Sequence, residues 1–184
     1  MNSKEGLAPT VIRPIVLYPD PRLKQHSHPV GNFDGALKAL ASDMTDTMRD
    51  ANGLGLAAVQ VGELIRFMVV ESRYEQEDKG EALSLINPEI LSVEGTQMGE
   101  EGCLSIPEVR EELERPYRVR IKAQDLEGRF GEHTFEGLLA RCIFHEIDHM
   151  DGQLFVEKLP AVKRLFLKSR LKDLQKQYAT AHKG

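Results

Sequence analysis

The chain is poor in cysteine and lacks long apolar runs. It has two cysteines among 184 residues, and no apolar run approaches the length that a membrane helix needs. Residues 1–6 lack the apolar segment of a signal peptide and the arginine-rich amphipathic character of a transit peptide. Two cysteines without a secretory signal do not predict a disulfide framework. We therefore expect a cytoplasmic protein with reduced thiols and no membrane partner.

The composition is that of a globular chain with a real core. Hydrophobic residues make up 41% of the chain and charged residues 29%, and this length suffices for one domain. No internal repeat, low-complexity tract or linker interrupts it. We expect residues 1–184 to form a single domain, with residues 1–10 as a flexible N-terminal arm.

Hydrophobic periodicity predicts a mixture of helices and antiparallel strands. One amphipathic helix begins near Asn32 or Asp34, either of which can cap it, and ends at residues 52–53. Strict alternation over residues 118–124 is typical of a half-exposed antiparallel strand. Further strand patterns lie at residues 66–70, 83–87, 90–93 and 133–135.

Residues 160–184 carry a separate signal, with seven lysines and arginines against one aspartate. The spacing predicts a helix with two stripes. The apolar stripe is Leu167, Leu171, Leu174 and Tyr178, and the basic stripe is Arg164, Lys168, Lys172 and Lys176. Such a basic amphipathic C-terminal helix suits RNA phosphates, although a charge run of this kind is more often a solvated helix face.

The most informative stretch is His145-Glu146-Ile147-Asp148-His149. On a helix, residues four apart stand on one face, so His145 and His149 can bind one metal ion. Glu146 then lies beside that ion, where a carboxylate can move protons to and from a bound water. The ordinary alternative is a surface helix that carries two histidines and solvated acids.

A third metal ligand is available upstream, in the run Glu101-Gly102-Cys103-Leu104-Ser105. A catalytic site needs three protein ligands and one position left open for water, and a thiolate at Cys103 would supply the third ligand. Taken alone, Cys103 would more often be a small buried residue. Beside the histidine motif we favour the metal ligand.

A glycine-rich run, Gly53-Leu54-Gly55-Leu56-Ala57-Ala58-Val59-Gln60, offers further functional groups. Its two glycines let another backbone approach closely. The side-chain amide of Gln60 can donate to a developing oxyanion. Alone, such a run is more often a turn that leads into a packed strand.

Together and in this order, the three runs resemble the motifs of the peptide deformylase family, of the bacterial type. The family's motifs are G-x-G-Φ-A-A-x-Q, E-G-C-Φ-S and H-E-Φ-D-H, and each is matched without a substitution. The similarity extends over about residues 11–159, and residues 15–23 look like the family's N-terminal strand and turn. The resemblance implies an α+β fold in which antiparallel β-sheets surround a central helix that carries the H-E-I-D-H motif, with a C-terminal helix in addition.

The resemblance also implies an activity and a cofactor. Members of the family are metal-dependent hydrolases that remove the formyl group from the N-terminal formyl-methionine of newly synthesised polypeptides and release formate. One divalent ion per chain is expected at Cys103, His145 and His149. Iron(II) is expected in the cell, while zinc, nickel or cobalt would also suit this ligand set.

Three catalytic residues follow from the same resemblance. Water on the ion attacks the formyl carbon, with Glu146 as general base and then as general acid. The side-chain amide of Gln60 and the backbone N–H of Leu104 help the ion to stabilise the oxyanion.

The candidate substrate-binding residues flank these motifs, and they are Leu54, Gly55, Gly102, Arg110, Leu138 and Cys142. The first three can hydrogen-bond through their backbone to an extended peptide, as an added strand does. Leu138 and Cys142 precede His145 on the same helical face and can form walls of a methionine pocket. Arg110 borders that pocket by analogy with the family. For Leu138, ordinary core packing is an equally good explanation.

Supporting residues and partners are less closely defined. Asp148 can orient a ligand or pair with an arginine such as Arg115, and Glu101 can do the same. Arg141 departs from the many relatives that have an aliphatic residue there, and it either points to solvent or narrows or polarises the pocket rim. The family resemblance implies contact of the C-terminal helix with the ribosome, and we expect no DNA partner.

Two other functions share some of these features. A metallopeptidase that cuts internal amide bonds also uses H-E-x-x-H, but it usually takes its third ligand from downstream of the helix. A catalytically dead module that binds the ribosome or peptides would have no need to keep both Glu146 and Gln60.

Overall fold

The computed structural model of the protein describes residues 11–72 and 81–182. The predicted N-terminal arm at residues 1–10 lies outside these ranges, as do residues 73–80 and 183–184. Within the described ranges, no helix is both long enough and apolar enough to cross a membrane. The α+β class predicted from the sequence is confirmed.

The elements follow one another in a mixed order along the described parts of the chain. The strands are β1 (Gly55–Ala57), β2 (Phe67–Val70), β3 (Leu83–Glu94), β4 (Gln97–Cys103), β5 (Ile106–Arg115), β6 (Arg118–Gln124) and β7 (Phe130–Glu136). The α-helices are α1 (Gly35–Asp50), α2 (Gly137–Met150), α3 (Phe155–Lys158) and α4 (Ala161–Ala181), and 3-10 helices lie at Pro21–Lys24 and Ala58–Val61. One antiparallel sheet has the order β1-β2-β3-β6-β7, and β4 and β5 form a separate antiparallel hairpin.

Helix α1 begins where Asp34 caps it. The Asp34 carboxylate accepts hydrogen bonds from the backbone N–H groups of Ala36 at 2.9 Å and Leu37 at 3.1 Å, which satisfies donors that the first turn leaves unpaired. Asn32 is not the cap, and its side-chain amide donates instead to Asp34. After the helix, Asn52 adopts a left-handed φ of 55°. That residue turns the chain out of α1 and into the glycine-rich run.

Strand β2 is buried on both faces, which explains its unbroken run of apolar residues. Phe67 and Val69 pack in one cluster with the apolar face of α1. Met68 and Val70, which point the opposite way, pack in the cluster that contains α2. The five-stranded sheet therefore lies between α1 and α2 at this strand.

Helix α2 is the central helix and carries the H-E-I-D-H run. It begins at Gly137, whose φ of 56° lies in the left-handed region that favours glycine. Ile143, Ile147 and Met150 pack against residues of β2, β3, β6 and β7. Because α2 is buried over most of its length, its polar residues must find partners within the protein.

Helix α4 packs its apolar stripe against the β4–β5 hairpin. Leu167, Leu171 and Leu174 join a cluster with residues of β5, and the Tyr178 hydroxyl donates to Asp20 at 3.0 Å. The predicted basic stripe is exposed. The helix is thus fixed by its apolar side and presents its charged side outward.

Two predictions about strands are wrong. The segment of residues 15–23 contains no strand, although it is fixed by hydrogen bonds from the N–H groups of Val16 to Gln60 and of Tyr18 to Ser105. The two short strands predicted on either side of Pro88 are one strand, β3. The chain continues through Pro88 because a bulge there, with Asn87 at a φ of 50°, removes the need for a ladder hydrogen bond.

We predict that Asp20→Asn destabilises the protein in a pH-dependent way. Hydrogen bonds from the Arg22 side chain lower the pKa of Asp20 from 3.8 to about 2, although burial acts in the opposite direction. Because Arg22 is about half exposed and solvent screens the pair, we expect a loss of about 1 kcal/mol at pH 7.

A carboxyl group whose pKa is lower in the folded protein stabilises the fold at pH values above the pKa that it has in the unfolded chain. This contribution is lost as the pH falls toward 2. The difference between wild type and Asp20→Asn, measured by urea unfolding, should therefore shrink as the pH is lowered from 5 to 3. Asp173→Asn on the exposed side of α4 is the control. A difference that is constant with pH would contradict the assignment.

Candidate active site

Three side chains that can bind a metal meet between α2 and the end of β4. The Cys103 sulfur lies 3.1 Å from Nε2 of His149, which in turn lies 3.1 Å from Nε2 of His145. One ligand atom from each residue fits within 4.8 Å of the others. The helix places the two imidazoles on one face, and the hairpin brings the thiol to them. These are the three residues that the sequence analysis singled out as metal ligands.

Glu101 fixes the orientation of the His145 ring. Its Oε1 lies 2.7 Å from Nδ1 of His145. Since a carboxylate only accepts, Nδ1 carries a proton, and Nε2 is the nitrogen on the side of the other two ligand atoms. Burial alone would raise the pKa of Glu101, but hydrogen bonds from His145 and Arg115 outweigh it and hold the pKa at about 2. Glu101 is therefore a permanent anion behind the ligands.

A buried ion-pair network surrounds this carboxylate. Arg115 donates from Nη2 and Nε to Glu101 at 2.6 Å and 3.0 Å, and from Nη1 to Asp148 at 2.7 Å. Lys158 of α3 lies 3.0 Å from the other oxygen of Asp148. Asp148 therefore pairs with Arg115, one of the alternatives that the sequence left open. Arg141 does not point to solvent, since only 4% of it is exposed.

The donor set fits a divalent transition-metal ion. Burial lowers the pKa of His149 well below its usual value, which leaves the imidazole in its neutral, metal-binding form. Burial also opposes the charged form of His145, yet Cys103 and Glu101 raise its pKa above the usual value. The position between the three ligands thus attracts positive charge. One sulfur and two nitrogens suit several first-row metals.

Glu146 lies beside the three candidate ligands, with one oxygen that no described residue satisfies. Only 3% of Glu146 is exposed, and its Oε2 is buried without a hydrogen-bond partner within the described residues. Burial raises its pKa from 4.5 to about 7. A carboxyl group with such a pKa can accept and donate a proton near neutral pH.

The Gln60 side chain is held in one orientation. Its Oε1 accepts from the Ala57 N–H at 2.9 Å, and its Nε2 donates to the Ser105 hydroxyl at 3.1 Å while lying 3.7 Å from the Cys103 sulfur. These contacts identify which amide atom is the donor. Ser105, fully buried, is a supporting residue to which the sequence analysis gave no role. Its place two residues after Cys103 was the available signal.

A cavity of about 390 Å³ opens beside these groups. All six candidate substrate-binding residues line it, together with Leu104, Gln60, Cys103, His145 and Glu146. The structure adds residues that the sequence analysis did not assign to the cavity wall. Among them are Ile106, Pro107, Glu108 and Val109, all from the start of β5.

The family of the chain follows from comparison with known proteins. A family model described as polypeptide deformylase matches residues 12–165. The chain belongs to the peptide deformylase family. It is 48% identical over 163 residues to a peptide deformylase of Alkalilimnicola ehrlichii, and the match covers 89% of this chain and 90% of that protein. The predicted family and the hydrolase class are thus confirmed.

Solved structures of deformylases have the same fold. The crystal structure of a peptide deformylase from Legionella pneumophila is 44% identical, with a TM-score of 0.83, and the match covers 92% of this chain and 98% of that chain. The peptide deformylase of Thermus thermophilus is 43% identical, with a TM-score of 0.82 and coverage of 90% and 99%. The arrangement of helices and strands around α2 is therefore that of the deformylase family.

We predict that Gly55→Ala strongly reduces turnover. A Cβ atom at Gly55 would lie 2.5 Å from the Cys142 sulfur and 2.7 Å from Oε1 of Glu146, so both side chains or β1 must move. We expect kcat/KM for a formyl-methionyl peptide to fall about 100-fold, because small displacements of a reacting group are costly. Gly31→Ala, where nothing lies within 4 Å of the added atom, is the control. Wild-type kcat/KM in Gly55→Ala would show that this close approach is not needed.

Proposed function

We propose that this chain is a metal-dependent hydrolase that removes the formyl group from the N-terminal formyl-methionine of newly synthesised polypeptides. Residues 1–184 would act as one catalytic domain in the cytoplasm. Family membership supports the reaction. The observation that carries it is Oε2 of Glu146, which is buried beside Cys103, His145 and His149 and has no hydrogen-bond partner among residues 11–72 and 81–182. A protein that only bound peptides would gain nothing from leaving a buried carboxylate oxygen unsatisfied.

We propose one divalent ion per chain, held by Cys103, His145 and His149. Iron(II) is the proposed ion in the cell, and zinc, nickel or cobalt can take its place in purified protein. When bound, the ion supplies Lewis acidity, which lowers the pKa of water and polarises the formyl oxygen. Glu101 holds His145 in the tautomer that this binding requires.

Glu146 is the proposed proton carrier. In hydrolysis of the formyl amide, a bond forms between the formyl carbon and a water oxygen, and the bond from that carbon to nitrogen breaks. Glu146 takes the proton that the water loses and delivers it to the departing nitrogen, which leaves as the free amine. The acyl part leaves as formic acid, which gives its remaining proton to solvent and becomes formate. The raised pKa of Glu146 places both of its transfers near neutral pH.

Gln60 and Leu104 are the proposed donors to the oxyanion. Because the Ala57 N–H fixes Oε1 of Gln60, the Nε2 group faces Cys103 and the cavity wall. The backbone N–H of Leu104 follows directly after the cysteine. A lost donor of this kind costs roughly 3 kcal/mol in the barrier. Ser105 would keep the Gln60 amide from rotating away.

We propose that the substrate binds as an added strand beside β1. Strand β1 is at the edge of the five-stranded sheet and, within the described residues, pairs only with β2. The backbone of Leu54 and Gly55 on one side and of Gly102 on the other would hold the extended peptide. Leu138 and Cys142 would form the walls of the methionine pocket, and Arg110 would border it.

We predict that Glu146→Gln abolishes formate release without removing the metal. The protein is purified without oxygen and loaded with iron(II), and formate release is measured from a formyl-methionyl tripeptide. Loss of the proton carrier should lower kcat about 1,000-fold, while Glu132→Gln on the exposed face of β7 should behave as wild type.

Each alternative function gives a different result in this experiment. A wild-type protein that binds metal but releases no formate would be a binding module. Cleavage of an unformylated peptide would indicate a metallopeptidase. Full activity in Glu146→Gln would contradict the role of this residue.

We also propose that α4 contacts the ribosome through its basic stripe, Arg164, Lys168, Lys172 and Lys176. Its apolar stripe packs on β5, and its exposed surface presents the four cations together with Val162, Leu165 and Phe166. RNA phosphates have the complementary charge. Neither DNA nor a membrane is a proposed partner.

We predict that Lys168→Glu combined with Lys172→Glu weakens ribosome binding at least about tenfold and reduces its salt dependence, because fewer counterions are released. Co-sedimentation with ribosomes over a range of salt concentrations measures both effects. Formate release from a tripeptide should stay unchanged. Lys38→Glu combined with Arg120→Glu, on the exposed faces of α1 and β6, is the charge-matched control. Equal binding by both double variants would contradict the contact.

A further inference from the structure

The guanidinium of Arg141 is buried, and its hydrogen bonds within the described residues reach the β4–β5 hairpin. From α2, Nη1 donates to the carbonyl oxygen of Leu113 at 2.8 Å and to Oε2 of Glu101 at 3.2 Å, and Nη2 donates to the carbonyl oxygen of Gln97 at 3.3 Å. Leu113 belongs to β5, and the other two belong to β4. One side chain therefore ties α2 to both strands of the hairpin.

Gly99 provides the space for this guanidinium. Gly99 is paired with Leu113 across the hairpin. A Cβ atom at Gly99 would lie 3.0 Å from Nη2 of Arg141 and 3.3 Å from both Cζ and Nε. Since Gly99 has no left-handed φ, the need for space rather than for an unusual backbone explains the glycine. The guanidinium of Arg141 thus occupies the space that a side chain at Gly99 would need.

The position of this contact matters because the proposed metal ligands are divided between two structural units. His145 and His149 are on α2, which packs on the five-stranded sheet, whereas Cys103 ends β4 of the separate hairpin. No strand pairing joins the two sheets within the described residues. Apart from the two-residue connections at 95–96 and 116–117, the distance from the cysteine to the histidines is therefore set by contacts of side chains between α2 and the hairpin.

Arginine is suited to such a contact. Its guanidinium is rigid, always charged, and has five donors, so it can reach two strands at once and remain compatible with the buried Glu101 carboxylate. A lysine would reach fewer acceptors, and an aliphatic side chain would leave the Leu113 and Gln97 carbonyl groups and part of Glu101 without this donor.

We propose that Arg141, accommodated by Gly99, is a positioning residue that holds the Cys103 ligand in register with His145 and His149. This role rests on the proposed metal site. Arg141 lines the cavity, but within the described residues its hydrogen bonds go to Glu101, Leu113 and Gln97 and not to the ligand atoms. Its effect on the reaction is through the geometry of the ligands, and it should be visible as a change in how firmly metal is held.

The test measures metal release from cobalt(II)-loaded protein. The charge-transfer absorption from thiolate to cobalt reports on Cys103 itself, and its decay after addition of excess chelator gives a release rate. The variants are Arg141→Met, Arg141→Lys, Gly99→Ala and the double variant Gly99→Ala with Arg141→Met. Arg120→Met, on the exposed face of β6, is the control. Urea unfolding of each metal-free protein checks that it is folded.

We expect Arg141→Met to release cobalt about tenfold faster than wild type, as loss of a group that supports a metal ligand usually does. Arg141→Lys and Gly99→Ala should also release it faster. The double variant should be no faster than Arg141→Met, because the added methyl group at Gly99 disturbs nothing once the guanidinium is gone. Arg120→Met should match wild type.

Three results would overturn the inference. The first is a wild-type release rate in Arg141→Met, or in Gly99→Ala if Arg141→Met does not fold. The second is a double variant in which the two effects simply multiply. The third is a wild-type protein that shows no charge-transfer band after loading with cobalt, which would contradict both the proposed metal site and this inference. The first two results would contradict the inference alone. If Arg141→Met changes only KM and releases cobalt at the wild-type rate, this also counts as the first result. Arg141 would then act only as part of the pocket wall.

Discussion

The burial of the Glu101 carboxylate is the constraint on which the site depends. A buried anion is tolerated only when its oxygens are saturated by donors, and Glu101 meets that condition with Arg115, Arg141 and His145. Arg115 belongs to β5, Arg141 and His145 belong to α2, and Glu101 itself belongs to β4. Satisfying the one carboxylate therefore fixes α2, β4 and β5 relative to one another. The orientation of the first histidine ligand is a consequence of that arrangement.

The fold supplies rigid support for this charge cluster on both sides. On one side, α2 lies on a sheet whose strand β2 is covered on both faces, so the helix cannot shift without opening the core. On the other side, α4 packs on β5 through leucines. The charged groups lie between two apolar clusters, where water is excluded and hydrogen bonds between charged partners are strong. Packing and electrostatics thus stabilise the same geometry.

Much of the fold and of the candidate site could be predicted from local sequence signals. The Asp34 cap, the apolar face of α1 and the strict alternation of β6 each depend on neighbouring residues alone. Strand β5 was missed because two of its inward positions are Glu111 and Arg115, whose charges hide the alternation. The burial of Arg141 could not be predicted, because the cost of burying a guanidinium depends on acceptors far away in sequence. The roles of the site residues remain predictions, although the structure brings these residues to one cavity.

The shortness of β1 has a consequence for how the protein behaves at high concentration. An unpaired sheet edge is a template for another copy of the chain, and long exposed edges are aggregation hazards. Strand β1 has three residues and lies against the cavity formed with the β4–β5 hairpin. Within the described residues β1 pairs only with β2, and its three residues leave few N–H and C=O groups for a second copy to pair with. A short edge of this kind is a weaker template for association than a long one.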